Sequence, residues 1–308
     1  VTGATGFVGS NLVRRLVKEG YEVHILTRKT SNMWRLKDIY SSLIDHKVDL
    51  SDKDDLLNAV TKINPNNICH LAIYGGYPSQ NEDEKILKTN LNGTINLLSA
   101  LEGIDYDCFI NTGSSSEYGK KEFIMKETDI CEPNTVYGIA KLSSTLYCNH
   151  ISAKENKNIG TIRLFSVYGD YEEKGRLIPT LFINLLNGEN VKLGNPAAVR
   201  DFVYIDDVVE AYISILKNPE KIKGKIFNIS SGNQISIGEI SEKVKSILNS
   251  SCFLDFGNLS GRTFDSTTWL GDSSLFRETF NWTPKKIDEG LKKSAEWFSK
   301  NLNLYKEV

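Results

Sequence analysis

Two side chains four residues apart, Tyr137 and Lys141, have the types and the spacing that acid–base chemistry requires. On a helix, residues four apart share one face, so the phenol and the ammonium group lie side by side. A tyrosine with its ordinary pKa of about 10 is a poor base at neutral pH. A neighbouring cation stabilises the phenolate and brings the tyrosine into a working range. The pair is common in helices, so its meaning depends on the motifs around it.

A glycine-rich segment at the start of the chain, Val-Thr-Gly-Ala-Thr-Gly-Phe-Val-Gly, has the composition of a phosphate-binding loop. It reads as the end of a strand followed by an amphipathic helix, and its glycines permit a tight turn and close approach of the backbone to a pyrophosphate. The N–H groups and the dipole of the helix then face the phosphate charge. The alternative is a purely structural turn. We predict dinucleotide contacts at Gly3, Thr5, Gly6, Phe7, Val8 and Gly9.

The spacing Gly-x-x-Gly-x-x-Gly, with Tyr137-x-x-x-Lys141 downstream, resembles the extended short-chain dehydrogenase/reductase superfamily of nucleotide-sugar epimerases, dehydratases and reductases. Segment 111–119, Asn-Thr-Gly-Ser-Ser-Ser-Glu-Tyr-Gly, is similar to the family's Ser-x-x-x-Tyr-Gly segment. The resemblance implies that Ser114 is the third catalytic residue and binds the sugar oxygen that Tyr137 protonates or deprotonates. The alternative for Ser114 is a loop serine that caps the local backbone.

Other segments extend the resemblance along nearly the whole chain. His70-Leu71-Ala72 is similar to the strand that lines the pyrophosphate, and Asn90 to a helix residue that bridges core elements. The resemblance therefore adds Leu71, Ala72 and Asn90 to the expected cofactor contacts.

On the substrate side, segment 200–208 resembles one that carries a diphosphate-binding arginine, here Arg200. Arg262, with Asp272 as its partner side chain, falls where the family has a second nucleotide-contacting arginine. Segment 163–169 matches a strand motif in which Ser166 replaces the usual asparagine, and Trp282-Thr-Pro284 matches a motif in which Asn281 replaces glycine. The substrate contacts implied are Tyr74, Ser115, Ser166, Arg200 and Arg262.

One difference from the family's motifs limits which reaction the chain is expected to catalyse. Sugar dehydratases carry an acidic pair directly after the catalytic Ser/Thr position, whereas this chain has Ser115 and Ser116, which favours loop structure there and disfavours dehydration. Looser segments, among them Tyr74-Gly75 and Arg176-Leu-Ile-Pro179, resemble 4-ketosugar reductases of the CDP-abequose and CDP-paratose synthase type. We predict reduction at carbon 4 of a nucleoside-diphosphate 4-keto-(6-deoxy)hexose. The alternatives are a 4-epimerase that retains NAD and, more remotely, a non-catalytic dinucleotide sensor.

The cofactor is indicated by the end of the second strand. NAD enzymes usually place an acidic residue there for the ribose 2′-hydroxyl. This chain has Thr27 there, followed by Arg28 and Lys29. The Arg28 guanidinium can donate two parallel hydrogen bonds to a 2′-phosphate, and Arg35 could reach the same pocket. NADP is therefore preferred over NAD, the alternative being solvated surface cations. Asp49-Leu50 resembles the family's contact with adenine, although Asp49 also fits a helix N-cap region.

The elements needed to position these residues alternate between strand and helix. Short apolar runs predict strands at 21–26, 67–72, 107–112 and 160–165, and amphipathic patterns predict helices at 10–19, 51–63, 84–101 and 136–153. Such alternation predicts a Rossmann-type doubly wound parallel sheet, with ligands at the carboxyl ends of the strands. We expect a dinucleotide-binding domain at 1–165 and a smaller, partly interleaved α/β substrate lobe at 166–308.

Composition excludes several classes of protein. The 308 residues carry a net charge of −2, which does not indicate nucleic-acid binding. No apolar run is long enough to cross a membrane, and the histidines and five cysteines lack metal or Cys-x-x-Cys spacing, so we predict no metal and a reducing cytoplasm. Family members are often dimers through two helices, and 84–101 and 136–153 are the candidates here for a homodimer.

Overall fold

A parallel β-sheet forms the centre of the molecule. The computed structural model describes residues 1–77, 79–257 and 267–306. The strands are β1 (His24–Thr27), β2 (Ile44–Lys47), β3 (Asn67–His70), β4 (Cys108–Ser114), β5 (Ile159–Leu164), β6 (Ser166–Tyr168), β7 (Val191–Leu193), β8 (Val199–Tyr204), β9 (Ile226–Ile229), β10 (Gln234–Ser236) and β11 (Leu254–Phe256). The α-helices are α1 (Phe7–Lys18), α2 (Lys53–Ile63), α3 (Asp83–Leu87), α4 (Gly93–Ala100), α5 (Val136–Glu155), α6 (Leu177–Leu186), α7 (Ile205–Leu216), α8 (Ile237–Ile247), α9 (Ser274–Phe280) and α10 (Ile287–Asn301).

Thr2 joins two parts of the main sheet. β1 pairs with β2 in parallel, and β3, β4, β5 and β9 pair in parallel in that order. Thr2 forms parallel bridges to Leu26 on one side and to His70 on the other. The strand order therefore reverses at Thr2, and ligands of such sheets bind beside the reversal, at the carboxyl ends of the strands. The predicted Rossmann-type doubly wound class is confirmed.

Helices cover both faces of this sheet. On β4, Ile110 packs into a cluster with α1 and α7, whereas its neighbour Phe109 packs into a second cluster with α2, α4 and α5. Strands buried on both faces read as continuous apolar runs, and every residue of β5 is buried. The carboxyl ends of the strands are thereby the part of the sheet that is open to a ligand.

The second half of the chain adds two small sheets beside the main one. β8 pairs in parallel with β6 and antiparallel with β10, and β7 pairs in parallel with β11. Helices α6, α8 and α10 pack against one another, while β9 returns to the edge of the main sheet.

The single helix expected over 84–101 is interrupted. Asp83–Leu87 and Gly93–Ala100 are α-helical, but Lys88–Asn92 forms a π-helical turn. Within that turn, the Asn90 side chain donates to the carbonyl oxygen of Ile86 and to that of Tyr74. A π-turn of this kind inserts extra backbone into a helix and is frequent at functional sites.

Several short strands were not predicted, among them β6, β8 and β9. Three- to six-residue runs carry too little periodicity to be separated from loops in a sequence. The strand expected at 21–26 begins only at His24, because Gly20 and Tyr21 still bond to the last turn of α1. Within the described residues, no helix is both long and apolar enough to cross a membrane, and the five cysteines are free thiols.

Candidate active site at the carboxyl edge of the sheet

The glycine loop makes the turn from the Thr2 strand into α1. Gly3 has a φ of 68°, and a Cβ there would lie 2.5 Å from the backbone carbonyl of Leu71. A Cβ on Gly9 would overlap the carbonyl oxygen of Gly3. The neighbouring backbone therefore leaves no room for a side chain at these two positions. The sequence predicted glycine for this reason, because the turn is tight.

The loop also leaves room for an anion at the start of α1. Gly6 is the N-cap of α1, no side chain caps it, and a Cβ there would approach only the carbonyl oxygen of Gly3, at 3.2 Å. First-turn N–H groups such as those of Phe7 and Val8 have no acceptor within a helix, and the helix dipole favours negative charge there. The residues present therefore fit a pyrophosphate.

Arg35 does not lie in the pocket expected for a 2′-phosphate. Its guanidinium is buried and donates to the carbonyl oxygen of Tyr171 at 2.7 Å, to the carboxylate of Glu173 at 2.7 Å and to the carbonyl oxygen of Thr5 at 3.3 Å. It also stacks on the ring of Trp34. The expectation was wrong because Arg35 is used to tie the glycine loop to loop 170–173.

A buried chain of hydrogen bonds fixes the segment that follows β3. Leu71 and Ala72 both donate their N–H groups to the Thr2 hydroxyl, at 3.1 Å each. That hydroxyl is 2.7 Å from His70 Nδ1, and His70 Nε2 is 2.9 Å from the hydroxyl of Thr94. Burial, with the charge of Lys141, lowers the pKa of His70 to about 3, so the imidazole is neutral.

Asn90 connects these buried hydrogen bonds to the neighbouring elements. It is fully buried, both of its amide N–H groups are donated to backbone carbonyls, and its side-chain oxygen accepts from Tyr74 N–H. Its own carbonyl oxygen accepts from the hydroxyls of Thr94 and of Ser144 on α5. The geometry is that of the bridging residue expected from the sequence, with no amide N–H left to donate to a cofactor.

The predicted adenosine end of the site carries a cation in place of the usual acid. Thr27 is buried, and its hydroxyl donates to Asp45 at 2.6 Å and accepts from Lys47 at 3.0 Å. Arg28 is exposed, and its charge is among the influences that lower the pKa of Asp49. The Asp45 carboxylate is itself paired with Lys47, and the two residues that follow Thr27, Arg28 and Lys29, are exposed cations.

Asp49 and Leu50 lie in the loop after β2. The Asp49 carboxylate accepts from the N–H and the hydroxyl of Ser51, and the Leu50 carbonyl accepts from Asn96. The N-cap of α2 is Asp52, whose side chain accepts from Asp55 N–H. Asp49 therefore lies in the turn directly before the N-cap residue, as the N-cap-region alternative expects, and its contact with adenine remains a prediction.

The three predicted catalytic side chains meet at the ends of β4 and α5. Ser114 is the last residue of β4, and Tyr137 lies in the first turn of α5, one turn before Lys141. Helix α5 begins there because Thr135 caps it by accepting from Gly138 N–H. The structure thus brings together residues that the sequence places 27 positions apart or fewer.

Hydrogen bonds and burial set the chemistry of this triad. The Ser114 hydroxyl accepts from Ser116 N–H at 3.1 Å, which leaves its own proton to donate, and it hydrogen-bonds the Tyr137 side chain. Burial raises the pKa of Tyr137 to about 12, while the Ser114 bond lowers it. Lys141 is 1% exposed, and burial lowers the pKa of its ammonium group. The triad therefore combines a protonated phenol with a buried lysine.

The positions that would carry a dehydratase's acidic pair hold Ser115, which is buried, and Ser116. The carboxylate that follows, Glu117, is fully buried and pairs with Arg163 at 2.8 Å. It faces the core of the sheet and is unavailable to a substrate.

On the sugar side, the sequence analysis did not name the tyrosine that influences the pKa of Tyr137. The hydroxyl of Tyr74 donates to Glu82 at 2.7 Å, and Lys85 lies over its ring, so Tyr74 is engaged at the start of α3. Tyr77 and Arg176 instead act on the Tyr137 pKa, the arginine lowering it and the tyrosine raising it. Arg176 lies over the Tyr77 ring at 4.7 Å, a contact across 99 residues that no spacing signals.

The remaining predicted substrate contacts lie in the second half of the chain. Ser166 is half-buried at the start of β6, and Arg200 is on β8, the strand that pairs directly with β6. The Arg200 guanidinium donates to the Val199 carbonyl at 2.6 Å and lies 5.8 Å from the ring of Trp269. Arg262 lies outside the described residues, and its expected partner Asp272 accepts from Ser274 N–H.

Asn281 replaces the glycine of the Trp-x-Pro motif without strain. It is the C-cap of α9 with a φ of 53°, a left-handed conformation that asparagine tolerates better than most residues. Trp282 is buried and donates its indole N–H to the Asp207 carbonyl.

Three features together define a dinucleotide-dependent enzyme. They are a parallel sheet whose strand order reverses at Thr2, a glycine loop open to an anion, and a Ser/Tyr/Lys cluster beside that loop. A family model for the NAD dependent epimerase/dehydratase family matches residues 1–230. The chain belongs to this family, and it is a nucleotide-sugar enzyme of the epimerase/dehydratase type.

Similar proteins include both epimerases and a synthase. The chain is 26% identical over 321 residues to UDP-glucuronate 4-epimerase of Thermodesulfobacterium geofontis, covering 100% of this chain and 98% of that protein. It is 26% identical over 300 residues to CDP-abequose synthase of Salmonella muenchen, covering 95% of each. The solved UDP-glucuronic acid 4-epimerase of Bacillus cereus, in complex with UDP-glucuronic acid and NAD, superposes with a TM-score of 0.86 at 26% identity, covering 97% of this chain and 98% of that chain.

Proposed function

We propose that the protein reduces a nucleoside-diphosphate 4-keto-(6-deoxy)hexose at carbon 4 with NADPH. The observation that carries this proposal is that Thr27, followed by the exposed Arg28, occupies the place where NAD enzymes hold an acid. A cation there suits a 2′-phosphate, and a cofactor exchanged in every turnover suits a reductase. The similarity to CDP-abequose synthase also supports the proposal of a reductase.

In this reaction the chain supplies orientation and protons, while a bound nicotinamide would supply the reducing equivalents. Tyr137 donates the proton to the carbon-4 oxygen, and Ser114 donates a hydrogen bond to the same oxygen. Lys141 stabilises the phenolate that Tyr137 becomes, because an ammonium group in a buried site attracts a nearby anion strongly. The glycine loop Gly3–Gly9, with the first-turn N–H groups of Phe7 and Val8, would hold the cofactor pyrophosphate.

The substrate would be held by the second half of the chain together with two loops of the first half. We assign the nucleoside diphosphate to Arg200 and Arg262, and the sugar to loops 74–82, 117–131 and 170–178. This assignment divides the chain into a cofactor domain at 1–165 and a substrate lobe at 166–308, interleaved through β9. The free cysteines suit a reducing, cytoplasmic setting.

The test is to follow NADPH absorbance after mixing the protein with a nucleoside-diphosphate 4-keto-6-deoxyhexose. Stoichiometric oxidation of NADPH and a 4-hydroxy product are expected. Mass spectrometry of the isolated protein completes the test, because the proposal requires a site that exchanges its cofactor. Tightly retained NAD, with no consumption of NADPH, would contradict the reductase.

The second candidate is a 4-epimerase that keeps NAD bound. It is favoured by the likeness to two UDP-glucuronate-type 4-epimerases, one of them solved with NAD. Both reactions use the same Ser114, Tyr137 and Lys141. The fate of the cofactor separates them, since an epimerase returns it unchanged after each turnover.

Replacing Arg28 by alanine is expected to raise the Kd for NADPH about tenfold and to change the Kd for NADH less than twofold. A charge-assisted contact with the 2′-phosphate is worth about 1.5–3 kcal/mol, and NADH lacks that group. Fluorescence titration at fixed ionic strength measures both constants. Lys29→Ala, also exposed, is the matched control; equal losses for both cofactors would make Arg28 a surface charge.

A homodimer is proposed through the outer faces of α3 to α5. Leu87, Ile139 and Leu146 are 38%, 46% and 58% exposed, and Ile139 and Leu146 lie two turns apart on one face of α5. Exposed apolar side chains grouped in this way mark interaction surfaces. Two copies facing each other would bury them in a bundle of helices.

Leu146→Glu is expected to convert a dimer into a 34.6-kDa monomer in analytical ultracentrifugation, because it places a charge in an apolar interface. Leu275→Glu is the control, since Leu275 is 41% exposed on α9, a helix in the second half of the chain. A wild-type chain that sediments as a monomer at micromolar concentration would refute the dimer.

A further inference from the structure

A fully buried carboxylate lies beneath the catalytic serine. Glu117 closes the 3₁₀ turn Ser115–Glu117 that begins directly after Ser114, and its exposed fraction is 0%. An ionised side chain is rarely buried completely unless it is paired and hydrogen-bonded. The proposed reaction gives this group no direct contact with substrate or cofactor.

Its two oxygens bind three different elements of the active site. Oε1 accepts from the backbone N–H of Ser114 at 2.8 Å. Oε2 accepts from the hydroxyl of Thr145 at 3.0 Å and from Nε of Arg163 at 2.8 Å. Thr145 is on α5 one turn beyond Lys141, and Arg163 is on β5. A single carboxylate thus connects the serine with the helix that carries the tyrosine and the lysine.

The arginine that holds Glu117 is itself anchored. Arg163 is 2% exposed and lies over the ring of Tyr118 at 4.5 Å. The Tyr118 hydroxyl donates to Asn228 on β9 at 2.7 Å. The position of the carboxylate is therefore set by two strands of the main sheet.

We propose that Glu117 is a positioning residue, which aligns Ser114 with Tyr137 and Lys141 for proton transfer. The inference rests on the catalytic roles proposed for those three residues. Ser114 N–H is held by Glu117, so the carboxylate fixes the backbone from which the serine hydroxyl reaches Tyr137. Displacements of about 1 Å in such an array cost activity steeply.

The charge of Glu117 acts on the same groups. It raises the pKa of both Tyr137 and Lys141. In the reductive direction the proposed reaction uses both Tyr137 and Lys141 with their protons, so the charge of Glu117 acts in the direction that the reaction needs.

A double-mutant cycle tests whether Glu117 acts through Ser114. We expect kcat to fall about 100-fold in Ser114→Ala and about 10-fold in Glu117→Gln, with KM changed less than about threefold in both. Measured at a pH at which Tyr137 and Lys141 hold their protons in every variant, the double variant should lose about 100-fold, because a misaligned serine costs nothing once its hydroxyl is absent. A product of the two effects, about 1000-fold, would overturn the proposal.

Asp207→Asn is the matched control. Asp207 is a buried carboxylate paired with Lys285 at 2.6 Å, on α7 and outside the triad. Combined with Ser114→Ala, it should give independent effects. Coupling to Ser114 as strong as that of Glu117 would show that any buried ion pair acts in this way, and the proposal would fail.

Amide hydrogen exchange supplies a measurement that does not depend on the substrate. In Glu117→Gln, exchange of segments 112–118 and 142–148 should accelerate about tenfold while that of 7–18 and 205–216 stays unchanged. Unchanged exchange everywhere, or acceleration throughout the chain, would overturn the positioning role. An inactive wild-type protein with the local exchange response would refute the proposed reaction and leave the positioning of Ser114 supported.

Thr145→Val provides a milder variant if Glu117→Gln fails to fold. It removes the hydroxyl that donates to Oε2 and leaves the ion pair with Arg163 in place. We expect kcat to fall about threefold, an effect that Ser114→Ala should again mask. A fall that persists in the Ser114→Ala background would overturn the proposal.

Discussion

Tyr137→Phe is expected to lower kcat by about 10³-fold, because it removes the proton that the carbon-4 oxygen must receive. The ring stays in place, so the pocket keeps its shape and the bond from Ser114 loses only its acceptor. The Kd of the dinucleotide should change less than about twofold, since phenylalanine retains the packing of the ring. Single-turnover kinetics with a 4-ketosugar separates the chemical step from binding.

The control for this variant is Tyr147→Phe, on the same helix and half-buried. It removes a phenol hydroxyl of the same chemistry at a distance from the triad and should retain full activity. Normal turnover by Tyr137→Phe would transfer the acid role to another group. Loss of cofactor binding together with activity would indicate a damaged site, which thermal unfolding of the apoprotein would detect.

Lys141→Met is expected to reduce activity about 100-fold at neutral pH and to shift its pH dependence. The variant is measured in the direction that oxidises the sugar, where Tyr137 must accept a proton. That activity appears as pH rises through the pKa of Tyr137. Burial already raises this pKa to about 12, and removing the neighbouring cation raises it further. The rise of activity therefore moves to higher pH.

Methionine is chosen because it replaces the buried stem without leaving a cavity. Lys154→Met, exposed near the end of the same helix, is the control and should leave the profile unchanged. A Lys141→Met profile that coincides with the wild-type profile would remove Lys141 from the tuning of Tyr137.

The contacts around Arg35 and Tyr77 illustrate where inference from the sequence ended. Arg35 follows a strand and two cations, so its type and place suggested the 2′-phosphate pocket. In the structure it reaches Thr5 on one side and loop 170–173, 136 residues away, on the other. The sequence analysis named Tyr74 and not Tyr77. The two tyrosines lie in one loop, and only the contact of Arg176 with the Tyr77 ring distinguishes them.

The sequence by itself determined the features that depend on local regularity. Three glycines between a strand and a helix, and Tyr137 one turn before Lys141, follow from the geometry of single elements, and the alternation of elements determined the sheet. The tertiary structure alone decided which side chains meet across elements. Glu117 and Arg163 lie 46 residues apart, and their ion pair forms only because parallel pairing places β4 beside β5. The spacing of residues along a chain indicates which side chains share a face of a single helix or strand. A site formed between elements depends on how those elements pack together.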